Sequence, residues 1–270
     1  MMNFFWRELF PHLKLKDKNL SLSKKIYIYL SIVLQVWVIM VIAMYMLLPH
    51  LAKDKYEDSH ITFYTYDTSN DKNTSQYFHK IASKIVNNKL YKKQMNIDIY
   101  FLNNHFLYTL LNPIELLPYR QTFSITYRKS IFFNDADIEN NKVYASNGVN
   151  ENLDAILIHE SVHTMQNTQY GWIYTSCKMP YWVKEGYPIY SARKFSQYKE
   201  QKIIDYLVKT KDIYVNEWDT FSQDQFYGLM VKHAIEKMHK SVDDLHLGKV
   251  EYDEVLDSLL REYNVTKGSD

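Results

Sequence analysis

His159-Glu160-Ser161-Val162-His163, read as helix, places two imidazoles one turn apart on one face with a carboxylate beside them. Residues four apart on an α-helix are surface neighbours, so both imidazoles can converge on one metal ion, while Glu160 can face a water held there. The spacing is that of a zinc hydrolase. Downstream, Trp182-Val183-Lys184-Glu185-Gly186-Tyr187 supplies a carboxylate at a distance that suits a third ligand. A catalytic zinc takes three protein ligands and keeps one position open, so His159, His163 and Glu185 are the expected ligands of a Zn2+ ion. Glu160 is the expected general base.

Around this stretch the pattern is helical. Asn150 is a plausible N-cap with Glu151 in the first turn, and the helix is expected to end near Gly171. Ala155, Ile158, Val162 and Met165 form a stripe that can pack inward, leaving His159 and His163 on a neighbouring face. Later helices are expected at Tyr181 to Phe195, Tyr198 to Val208, Gln223 to Lys240 and Tyr252 to Tyr263. Ahead of the motif, from His60 to Ser146, short β segments dominate. Ile61 to Tyr66 and Ile97 to Leu102 are the clearest strands, with others at Thr122 to Tyr127, Ser130 to Phe133 and Lys142 to Ala145. Between the first two, Thr74 or Ser75 can cap a helix carrying Phe78, Ile81, Ala82, Ile85 and Val86 at helical spacing. The expected class is α+β. A mixed-sheet upper lobe over residues 60–146 meets a helical lower lobe over 150–264, and ligand sites favour the cleft at such a boundary.

The N-terminal part obeys a different rule. Ile26 to Leu48 carries no charge, and at 1.5 Å per residue it covers about 34 Å, enough to cross a bilayer core. A buried core helix rarely stays apolar on every face for so long, so residues 26–48 are expected to form a transmembrane helix. A cleaved signal peptide fits less well, because the run is long and Leu51-Ala52 is a poor cleavage site. Before it stand Arg7, Lys14, Lys16, Lys18, Lys24 and Lys25 against Glu8 and Asp17, a net of +4. Positive flanks stay in the cytoplasm, so residues 1–25 are the expected cytoplasmic tail and 49–270 the ectodomain, periplasmic or extracellular.

Composition narrows the partners. The whole chain has a net charge of +1, so removing the tail's +4 leaves −3, and the basic footprint that nucleic acid requires is missing. A hydrophobic fraction of 46%, with 24 Tyr and 13 Phe, suffices for a packed core. The single Cys177 cannot close an intramolecular disulfide, so an ectodomain outside the cytoplasm rests on its core and its metal.

These motifs carry a resemblance. The chain resembles the gluzincin metallopeptidases, the clan of thermolysin-like enzymes and zinc aminopeptidases, in which both imidazoles come from one helix and a Glu from the next. Here 21 residues separate His163 from Glu185, close to that family's separation, and Trp182 to Tyr187 looks like its Trp-x-x-Glu-Gly-aromatic pattern. The likeness covers about residues 150–195 and extends faintly to Phe226-Tyr227-Gly228-Leu229-Met230-Val231. The resemblance implies a zincin-like ectodomain that hydrolyses peptide bonds in peptides or exported proteins. It also implies that Tyr227 holds the oxyanion of the transition state, with Tyr190 as a competing candidate.

The chain departs from the family at Pro188-Ile189, where relatives often carry a small residue and an acidic one. Proline removes the helical bond to the Lys184 carbonyl, so the helix either kinks there or starts only near Pro188, which would displace Glu185. Ile189 removes a carboxylate able to orient a ligating His. No Gly-x-Met-Glu-Asn segment is present, which disfavours an aminopeptidase. Two other readings follow: a zinc-binding envelope protein without turnover, serving binding or maturation, and a zinc hydrolase acting on an amide or ester of the cell envelope. The remaining His residues, His246 among them, and Gln166 and Asn167 are assigned no role.

Overall fold

The structure is a computed structural model that describes residues 21–66, 72–111, 122–125, 129–144, 150–192, 197–210 and 223–263. The chain divides into two units, Met1–His50 and Leu51–Asp270. In the first, helix α1 (Leu22–Leu51) runs across the apolar stretch, and Ile26–Leu51 is long and apolar enough to cross a membrane. Most of the expected cytoplasmic tail, residues 1–20, lies outside the described residues.

The second unit is mixed α and β. A five-stranded sheet has the order β1 (Asp54–Asp58), β2 (Ile61–Thr65), β3 (Ile97–Phe101), β5 (Ser130–Phe133), β4 (Thr122–Ile125). The three central strands are parallel and the two edges antiparallel. β1 extends the sheet to Asp54, ahead of the expected start at residue 60, and its charged sequence Asp-Lys-Tyr-Glu-Asp suits an edge that must not pair further.

Aromatic residues in register hold the centre together. Tyr64, Tyr100 and Phe132 stack across three strands at 4.7 and 4.8 Å, while Phe101 and Phe133 stack at 5.3 Å on the opposite face. Helix α2 (Lys72–Val86) closes that second face by laying Phe78 on Phe63 and Phe101. It starts at Lys72, ahead of the caps expected at Thr74 or Ser75, and Thr74 is buried. Helix α3 (His105–Leu111) was not expected. The expected strand ends at Thr126, Tyr127 and Ala145, and the helix end at Phe195, fall outside the described residues.

A small antiparallel sheet, β6 (Ala136–Asp137), β7 (Lys142–Tyr144) and β8 (Asn150–Asn152), leads into helix α4 (Leu153–Tyr170). Asn150 is therefore a strand residue paired with Tyr144 rather than the N-cap. The cap is Asn152, whose side chain accepts from the Ala155 N–H at 3.0 Å. Asp154 takes the first-turn place expected for Glu151 and anchors α2 through Lys84 at 2.9 Å and Lys80 at 3.4 Å. Burial opposes its charge, but hydrogen bonds from Lys84 and Tyr77 outweigh that and hold the carboxyl below its usual range. Gly171 ends the helix at φ +85°, its N–H on the Asn167 carbonyl.

The expected single stripe understates α4. Leu153, Ile156, Leu157, Ser161, Thr164 and Gln166 are buried along with Ile158, Val162 and Met165, so α4 is a central helix covered on nearly every side. Around it lie α5 (Trp172–Cys177), α6 (Tyr181–Ser191), α7 (Gln197–Thr210), α8 (Gln223–Glu236), α9 (Val242–His246) and α10 (Tyr252–Glu262). The α2-facing side of the sheet, with Phe63, Phe101 and Phe133, joins the buried side chains of the helices in one core.

One polar group within it has the order of a nucleophile, base and orienter: Ser258 Oγ lies 2.9 Å from His233 Nε2, and His233 Nδ1 lies 2.9 Å from Glu262. Ser258 sits inside α10, however, where neighbouring N–H groups are spent in helical bonds and none can hold an oxyanion. The group clamps α8 to α10.

Candidate metal centre

α4 and α6 bring the three expected ligands together. One turn apart on α4, His159 and His163 turn their Nε2 atoms toward each other at 3.1 Å with the rings at 80°. α6 delivers Glu185, whose Oε2 lies 3.3 Å from His163 Nε2. Ligand atoms of all three residues lie within 4.8 Å of one another, and the group could hold a metal ion. All three side chains are half-buried, so solvent is restricted at the group.

The displacement expected from Pro188 does not occur. α6 begins at Tyr181 and continues through Pro188 to Ser191, so Glu185 lies in its middle. Gly186 explains how α6 sits so close to α8: a Cβ there would fall 2.5 Å from the Tyr227 carbonyl oxygen.

Glu160, adjacent to His159, is half-buried, and its charge reaches His163. Desolvation pushes the His163 imidazole down, but hydrogen bonding and charge from Glu185, with Glu160 adding, hold it above its ordinary value. Two carboxylates facing this imidazole make the centre attractive to a cation.

Two expected residues sit differently from the triad. Tyr227 packs on α8 in an aromatic group, with Tyr181 at 5.9 Å and Tyr252 at 6.5 Å, and its hydroxyl accepts from Gln223. Tyr190 lies against the ring of Tyr187 at 6.1 Å.

Two residues given no role from sequence reach the centre. Gln166 is fully buried, with Oε1 3.1 Å from His163 Nδ1 and Nε2 3.2 Å from both the Lys184 carbonyl and His246 Nε2. His246, also fully buried, donates from Nδ1 to the Val242 carbonyl at 2.7 Å and stacks on Tyr170 at 5.0 Å. The sequence signals α9 through Ser241, whose hydroxyl caps the Asp244 N–H at 3.0 Å. Nothing in it signals that His246 returns to a residue 80 positions away.

No family model matches this chain, and no curated protein shows significant similarity to it. The functional reading therefore rests on the residues themselves.

Burial drives the His246 imidazole down from 6.5 to about 4, and it also lowers His233. Above about pH 4 the His246 imidazole is neutral in the folded protein. As pH falls below about 6.5 the unfolded chain binds the His246 proton first, so the contribution of His246 to stability is complete above that pH and declines toward pH 4, whereas the raised His163 acts in the opposite sense, stabilising the metal-free fold at low pH. His246 alone accounts for about 3 kcal/mol of the decline. Urea unfolding of the metal-free protein from pH 7 to pH 4 should show this loss, and His246→Leu should flatten much of it. An equally steep loss in that variant would remove His246 as its cause.

Proposed function

We propose that the protein is a membrane-anchored zinc metallopeptidase of gluzincin type that hydrolyses peptide bonds in peptides or exported proteins. One observation carries the reading: His159, His163 and Glu185 converge beside Glu160. Two of the donor separations support a small tetrahedral ion such as zinc. Donors about 2.0–2.1 Å from a tetrahedral ion stand about 3.3–3.4 Å apart, and the 3.1 and 3.3 Å separations here are close to that. Two imidazoles and a carboxylate are also a catalytic rather than a closed structural set.

Zinc held there supplies Lewis acidity toward a scissile carbonyl and makes a water acidic enough to ionise near neutral pH. Glu160, next to His159, would accept a proton from the attacking water and pass it to the leaving amine. Tyr227 is the proposed donor to the oxyanion. In this reading the mixed sheet and the helices correspond to the upper and lower lobes of a zincin-like ectodomain, and the mixed α and β character of the second unit supports it.

α1 anchors the enzyme by a single pass, the basic tail cytoplasmic and residues 49–270 on the outer side. Protease added to intact cells or spheroplasts should digest the ectodomain, and full protection until lysis would reverse the topology.

Elemental analysis of the purified full-length chain tests the centre. The wild type should carry one equivalent of zinc, and Glu185→Gln should lose most of it at matched free metal. Zinc in the wild type without cleavage of any peptide in a quenched library would favour the tethered binding protein. No zinc at all would end the metal reading.

A further inference from the structure

Pro188 and Ile189 look like losses, since one removes a helical hydrogen bond and the other a carboxylate. The structure shows where the freed carbonyl goes. Pro188 has no N–H to offer the Lys184 carbonyl four residues back, and Gln166 Nε2 donates to that carbonyl instead at 3.2 Å.

That bond fixes the orientation of the carboxamide. A backbone carbonyl can only accept, so the nitrogen of Gln166 faces Lys184 and the oxygen faces His163 Nδ1 at 3.1 Å. The amide oxygen also only accepts, so His163 Nδ1 carries the hydrogen. Its Nε2 is then the atom presented to His159 and Glu185.

The second amide N–H meets His246 Nε2 at 3.2 Å, and again a backbone carbonyl decides the arrangement. His246 Nδ1 donates to Val242 at 2.7 Å, which leaves Nε2 as an acceptor. Tyr170 and Tyr187 hold the ring from its face and its edge, at 5.0 and 4.8 Å. Gln166 and His246 are both fully buried, so bulk water cannot take over either bond.

We propose that Gln166, oriented by the Lys184 carbonyl freed at Pro188 and by His246 of α9, is a positioning residue that fixes His163 in the tautomer presenting Nε2 to the metal. The inference rests on the metal reading above. A single carboxamide thus braces α4, α6 and α9, and Pro188, by withholding an N–H from the Lys184 carbonyl, is part of that arrangement.

Zinc affinity of the full-length protein, measured by competition with a chelator, tests this alongside the visible spectrum of the cobalt form. Gln166→Leu should bind zinc about 10–100-fold more weakly and alter the cobalt bands. His246→Leu should weaken zinc in the same direction, and Gln166→Leu/His246→Leu should be no weaker than Gln166→Leu alone, because His246 acts through Gln166. Packing losses unconnected with the metal would instead add. Pro188→Ala, which keeps the helix and gives Lys184 a competing N–H, should weaken zinc about 2–10-fold, the worth of one hydrogen bond. Should the buried variants fail to fold, this milder variant decides alone. Zinc in the wild type with unchanged affinity in the variants that fold, or additive losses in the double variant, would overturn the brace and spare the metal centre. A wild type that binds no zinc overturns both.

Discussion

Glu160→Gln should keep its zinc and lose about 10²–10⁴-fold in peptide hydrolysis, the usual contribution of a general base. The substitution replaces one carboxylate oxygen by an amide NH2 of nearly the same size, so packing along α4 is unchanged. Glu160 is not among the three converging ligands, so the ion keeps its protein donors. What is lost is the capacity to accept a proton and pass it to the leaving amine. The expected signature is a fall in kcat with KM little changed, because in the proposed mechanism Glu160 acts in the transition state rather than in holding substrate. Zinc measured on the same preparation separates the outcomes. Activity surviving with zinc in place would remove Glu160 from the chemistry. Loss of zinc together with activity would assign it to the metal instead.

Gly186→Ala should be strongly destabilising, more so than its size suggests. Its new methyl would lie 2.5 Å from the Tyr227 carbonyl oxygen and 2.6 Å from the Tyr227 carbonyl carbon. Both are backbone atoms, so no side-chain rotation relieves the clash, and α6 must move away from α8. Overpacking of this kind costs about 1–3 kcal/mol, and with rigid partners on both sides the upper end is expected. Because Glu185 is the preceding residue on α6, zinc affinity should fall as well. Gly171→Ala is the comparison: nothing lies within 4 Å of its would-be methyl, but φ +85° with ψ 142° is a conformation open essentially to glycine, so the cost is conformational and about 1–3 kcal/mol. Urea midpoints of both variants in detergent would order these costs. A Gly186→Ala protein as stable as the wild type would mean that α6 and α8 do not pack at this spacing.

Much of the centre was legible because it is local. His159, Glu160 and His163 lie within two turns of one helix, so periodicity alone places them, and Glu185 follows in the next long helix. Strands β2, β3 and β5 were legible from their β-branched and aromatic runs. The misses are of another kind. Asn150 and Asn152 are equally good caps as residue types, and only the pairing of β8 with β7 decides between them. β1 reads as a polar linker because a charged edge strand lacks the alternation of a half-buried one. The burial of α4 on nearly all sides depends on the sheet and helices that surround it, which its own sequence does not name.

Gln166 and His246 mark the limit most clearly. A glutamine three residues after a ligand and a histidine in a short helix are common, and their meaning comes from meeting each other and the Lys184 carbonyl. Proline at 188 reads in sequence as a missing hydrogen bond. In the folded chain the same absence gives a buried carboxamide its partner.

By itself the sequence determined the apolar span, the α+β character and the identity of three converging donors, because each depends on residue type and short-range period. The tertiary structure decided the register of the sheet, the approach of α6 to α8 through Gly186, and the orientation of His163, because these depend on hydrogen bonds and contacts between segments far apart in the chain.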